Sequence, residues 1–90
     1  MKVVYIDCRN FMNMDAFYDA LQKKLNLPDY FGRNLDALND VLYDVEEEVL
    51  LCFDGYDLFA SRVGEKAEKA REIIIDVSDS KPNLQLMFEK

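Results

Sequence analysis

Histidine and tryptophan are missing altogether from this 90-residue chain, and it carries only three glycines, two prolines and two cysteines. Without histidine there is no serine or cysteine triad, no HExxH zinc site, no deaminase-type zinc ligation and no imidazole base for RNA cleavage. The glycines at 32, 55 and 64 stand too far apart for a phosphate-binding P-loop or a GxGxxG turn. Little Gly and Pro in a chain that is half apolar and 12 % aromatic excludes disorder and collagen-like structure. Two cysteines make no disulfide scaffold. Cys8 and Cys52 both lie in apolar runs and read as core thiols of a reduced, cytoplasmic protein, with a Cys8–Cys52 bridge as the alternative if their strands are neighbours. The opening MKVVYID is charged too early for a secretory signal, and no stretch approaches the ~20 apolar residues of a membrane span. Basic residues are scarce as well, 11 against 18 acidic, for a formal charge of −7. Such a surface is repelled by a nucleic-acid backbone and by an anionic membrane.

The acid excess is concentrated. Between Asp29 and Glu48 stand seven acids (Asp29, Asp36, Asp40, Asp44, Glu46, Glu47 and Glu48) and one base, Arg33, so this twenty-residue stretch carries −6 of the whole −7. The remainder is close to neutral.

Hydrophobic patterning gives the element order. KVVYID (2–7) reads as a buried strand. Asn13 then caps a helix whose stripe is Met14, Phe17, Leu21 and Leu25, ended by Leu27-Pro28. A second helix starts at Asn34 and runs to about Tyr43, burying Leu35, Leu38 and Leu42. EVLLCF (48–53) reads as a second buried strand. Asp54 or Gly55 opens a short helical turn that stops at Gly64, and Glu65 to about Ser78 forms a longer helix, although Ile73-Ile74-Ile75 alone would suit a strand. After the Lys81-Pro82-Asn83 turn, Leu84, Leu86 and Phe88 alternate with Gln85 and Met87 as a last strand. Every crossover contains helix, so the strands are expected to be parallel: a single α/β domain, a three-stranded sheet packed against about four helices.

Two constellations could carry chemistry. Asp7 and Asp54 each follow a strand, so a parallel sheet would bring both carboxylates to its carboxyl edge, where a receiver-like Mg²⁺ or phosphoryl site could form. Helix capping is the plainer use of an aspartate there. The second is the helix at 34–43, where Asp36 and Asp40 lie one turn apart, Asp44 extends the row and the leucines take the other side. Like charges at that spacing disfavour an isolated helix, and acids near its C-terminus oppose the macrodipole. A solvated face that aids solubility is one explanation; a surface for a basic partner is the other. A glycosidase pair would need a cleft that an exposed helix lacks.

Leu27 to Leu42 reads LPDYFGRNLDALNDVL. These sixteen residues resemble the signature of the barstar family of ribonuclease inhibitors, close to L-P-x-Y-(Y/F)-G-x-N-L-D-A-L-x-D-x-L, at every fixed position. The resemblance implies a three-stranded parallel sheet covered by helices, in one domain over residues 1–90, and an intracellular inhibitor that plugs a ribonuclease active site. It makes Asp40 the central anchor and Asp36 its neighbour, with Tyr30 as an aromatic contact and Gly32 and Asn34 approaching the partner. Tyr43 and Asp44 complete the helix end of that surface, and Phe31, Leu35 and Leu38 belong to the core. An acid in the helix before the last strand falls on Asp76, one methylene shorter than the usual glutamate, while Asn39 replaces a large aromatic. The implied partner is a small, secreted, basic ribonuclease bound 1:1 by a chain that is monomeric when free. No metal or cofactor is expected. The alternative is an antitoxin-like acidic module for a basic protein that is not a ribonuclease.

Overall fold

The computed structural model describes residues 1–29 and 31–89. Its elements are β1 (Lys2–Asp7), α1 (Met14–Leu25), α2 (Leu35–Tyr43), β2 (Val49–Asp54), α3 (Tyr56–Val63), α4 (Glu65–Ser80) and β3 (Leu84–Glu89). The three strands form one parallel sheet in the order β1-β2-β3, with Lys2 opposite Val49 opposite Leu84 and Asp7 opposite Asp54 opposite Glu89. The expected α/β fold is present. Two right-handed crossovers that step in the same direction must lie on the same side of a sheet, so all four helices cover one face.

That arrangement corrects the reading of β1 as a buried strand. Val4 and Ile6 point into the helical layer and are buried, but Val3 and Tyr5 alternate onto the open face and are 62 % and 46 % exposed. Central β2 is nearly buried throughout. The inner face of the sheet meets Phe17 and Leu21 of α1 and Ala67, Ala70, Ile74 and Val77 of α4 in one core, so the three isoleucines at 73–75 are helical. Phe17 stacks on Phe59 at 5.1 Å between ring centroids, and the buried Tyr56 hydroxyl donates to the Ala67 carbonyl at 2.8 Å.

The same alternation decides the cysteines. Both are free and buried: Cys8 continues the inward side of β1, whereas Cys52 lies on the outer face of the central strand β2, covered by its neighbours to 8 % exposure. Their side chains leave the sheet on opposite sides, and no bridge can form. Burial pushes the Cys8 thiol up to about 12.

Helix ends follow the capping chemistry. The side chain of Asn13 accepts from Ala16 N at 2.9 Å, and α1 ends at Leu25, two residues before the expected Leu27, because Asn26 takes a left-handed conformation at φ 57°. Its apolar stripe is also shifted, with Tyr18 buried and Met14 only half-buried.

Candidate functional site

α2 is nine residues long, too short to persist in isolation, so its order comes from its caps and its buried side. Asn34 is extended and its Oδ1 accepts from Ala37 N at 2.8 Å, while its Nδ2 donates to the Gly32 carbonyl at 3.3 Å. Leu38, Val41 and Leu42 are buried, and Leu35 is half-buried against the core rather than within it. The preceding loop is anchored by Phe31, which is buried and packs edge-on against Tyr18 at 5.7 Å. Gly32 is needed for closeness rather than for a positive φ: a Cβ there would meet Asn34 Nδ2 at 3.3 Å and Ala37 Cβ at 3.4 Å. Arg33 is the residue that turns left-handed, at φ 51°.

Arg33 has a second role that its position in the sequence does not announce. Its guanidinium donates to Asp19 Oδ1 at 3.1 Å and to Gln22 Oε1 at 3.0 Å, so the one base within the acidic stretch is drawn onto α1. Lys23, with Arg33, holds the Asp19 carboxyl below the usual carboxylate range. Among the described residues, no basic side chain forms an ion pair with a carboxylate of α2.

Asp36, Asp40, Asp44, Glu46, Glu47 and Glu48 are all exposed, and none of their carboxylates has a hydrogen bond or ion pair among the described residues. Elsewhere many acids are engaged: Asp7 with Arg9, Asp19 with Lys23, Glu65 with Lys69, and Asp57 and Glu68 with Arg71. The open carboxylates nevertheless stand on a restrained backbone. Lys81 Nζ donates to the Tyr43 carbonyl at 2.6 Å, and Asn83 Nδ2 donates to the carbonyls of Val45 and Glu47, each at 2.9 Å. Lys2 N donates to the Glu48 carbonyl at 2.9 Å, and Val49 N to that of Asn83 at 2.8 Å. The turn at 81–83 therefore fastens the acidic loop from behind. Its signal in the sequence was only that of a turn.

Among the other expected site residues, Tyr43 is 44 % exposed beside the carboxylate row, and Asn39 is half-buried with no side-chain hydrogen bond among the described residues. Asp76 is exposed on α4, the helix against which α2 packs. Tyr30 lies outside the described residues.

The carboxyl edge of the sheet does bring Asp7 and Asp54 into register, but as occupied groups. Arg9 grips both oxygens of Asp7 at 2.9 Å and adds its backbone N–H, which holds that carboxyl at about 2. Asp54 accepts from the Tyr5 hydroxyl, and this hydrogen bond raises the phenol to about 12. No group of three metal-ligating side chains occurs among the described residues.

Fold and site together define an α/β protein whose exposed short helix and following loop present fixed, unneutralised carboxylates. A family model described as Barstar (barnase inhibitor) matches residues 1–89. The chain is also 33 % identical over 91 residues to a Bacillus subtilis (strain 168) protein named "Putative ribonuclease inhibitor YrdF", covering 99 % of this chain and 100 % of that protein. This chain belongs to the Barstar family.

Proposed function

We propose that this protein inhibits a ribonuclease by occupying its basic active site with α2 and the loops on either side. It acts as a plug and turns nothing over. The observation that carries this reading is the set of six exposed carboxylates that form no ion pair among the described residues, on a backbone held by Asn34, Lys81 and Asn83. A cleft that cleaves RNA gathers Arg and Lys around the scissile phosphate, and a rigid carboxylate helix can stand in for that phosphate. Family membership and the B. subtilis relative's name support the same function. Asp40 is the central anchor, Asp36 pairs beside it, Asp76 adds an acid from α4, and Tyr30, Gly32, Asn34, Tyr43 and Asp44 frame them. The free protein acts as a monomer and binds 1:1 in the cytoplasm, against a small ribonuclease otherwise exported from the cell.

Cleavage of RNA by candidate basic ribonucleases, measured with the parent and with Asp40→Ala, tests the proposal. Inhibition by the parent and its loss in the variant is the expected result; equal inhibition by both removes the anchor. Association should also slow steeply with added salt, because steering between unlike charges is screened. A second reading, a basic target other than a ribonuclease, is favoured by one feature: Asn39 leaves the position of the expected aromatic anchor polar. Capture of a basic protein without nuclease activity would favour it.

A further inference from the structure

Alongside the carboxylate row a surface groove of about 370 Å³ opens between the end of α1 and the α2–β2 loop. Its floor is apolar, with the buried Leu25, Val41 and Val49, and its rim carries Asp44, Glu46 and Glu47. Among the described residues, none that lines it is basic. Its walls are held in place: Gln22 Nε2 donates to the Pro28 carbonyl at 3.3 Å on one side, and Asn83 binds the Val45 and Glu47 carbonyls on the other.

An apolar trough beneath an anionic rim suits a side chain that is aliphatic along its length and cationic at its tip. Arginine and lysine bury their methylene stems and keep the charged head at the surface. A purely apolar occupant would leave three carboxylates over a desolvated floor, and a compact cation would leave the floor wet. We propose that the groove takes one arginine or lysine side chain from the ribonuclease surface outside its catalytic cleft, adding a second anchoring point to the α2 plug. This rests on the ribonuclease reading for the partner's name, but the groove's own chemistry is separable from it.

The test uses n-butylguanidinium, a mimic of the arginine side chain, followed through backbone amide shifts in NMR. Saturable shifts at Leu27, Val41, Val45 and Glu46 are expected, with guanidinium ion and n-butanol each binding more weakly than the joined molecule. Glu46→Gln/Glu47→Gln should weaken the probe roughly 2- to 10-fold, as for two exposed ion pairs. These conservative exposed changes leave the Asn83 contacts, which are to backbone carbonyls, in place. Equal affinity for n-butanol would assign the groove to an apolar occupant, and shifts centred on Asp36 and Asp40 would place the cation on the helix instead. Line broadening that grows with protein concentration alone would mean that a second copy fills it. Each of these overturns the proposal. If a target ribonuclease is then inhibited by the Glu46→Gln/Glu47→Gln variant as tightly as by the parent while Asp40→Ala fails, the groove is not part of the interface and the plug stands. If the probe binds as expected and no ribonuclease is inhibited, the functional reading falls and the groove's cation preference stands.

Discussion

Replacing Asp40 with asparagine should make the free protein more stable while disabling it. Asp40 occupies the last turn of α2, where the carbonyl end of the helix is negative and the helix's own sequence supplies no base; Lys81 Nζ meets the Tyr43 carbonyl there but forms no ion pair with Asp40. It also lies four residues from Asp36 and from Asp44, with no cation bound to any of them among the described residues. Relieving the macrodipole is worth about 0.3–1 kcal/mol at low salt. Each like-charge neighbour at this spacing adds about 0.2–0.5 kcal/mol. Discounted for exposure, the gain is about 0.5–1.5 kcal/mol, or roughly 2–10 °C in Tm for a domain of this size. Most of it should vanish in ~1 M salt, where the Debye length falls to ~3 Å. Against a basic cleft the same change should weaken binding by about 2–5 kcal/mol, at least roughly 30-fold. Thermal unfolding followed by circular dichroism at low and high salt, paired with an inhibition assay, reads both sides. A lower Tm at low salt would refute the reasoning, since it would mean that the carboxylate has a structural partner in the fold.

Asn83→Ala removes both side-chain hydrogen bonds that restrain the acidic loop. It should cost about 1–3 kcal/mol in urea unfolding and speed dissociation from the target. A thiol reagent should modify neither Cys8 nor Cys52 at an appreciable rate until the protein unfolds, since both are buried, and oxidation should give no intramolecular bridge; mass spectrometry reads both outcomes. The Asp7 carboxyl, held at about 2 by Arg9, lies below its unfolded value of roughly 3.9. The contribution of this pair is therefore complete above that unfolded value and is lost as pH falls toward 2. Urea midpoints for the parent and Arg9→Ala should differ at pH 5 and converge near pH 2.

The strands and helices were legible because their signals are local. Asn13 and Asn34 cap where their side chains can reach the first-turn amides, and the leucine spacing of α2 sets its buried side. The bare outer face of the sheet was less legible. KVVYID is apolar almost throughout, and only the one-sided placement of the helices shows that Val3 and Tyr5 meet solvent. The same limit applied to Cys8 and Cys52, whose separation depends on which side of the pleat each takes. Within the site, the acidic stretch could be read from charge alone, and Asp36 and Asp40 from helical spacing. What could not be read is the restraint behind them. Arg33 reaches α1 through a left-handed turn, and Lys81 and Asn83 act across 36 or more residues, at distances fixed only by the parallel register of β2 and β3.

The central claim is that the carboxylates of α2 block a ribonuclease active site. The most direct test is a titration of RNA cleavage by a basic target ribonuclease with the parent and with Asp36→Asn/Asp40→Asn, checked for competition with the RNA substrate. The parent should abolish cleavage competitively at one equivalent, and the variant should remain folded yet fail at many equivalents. A folded double variant that still titrates the ribonuclease at one equivalent would contradict the account.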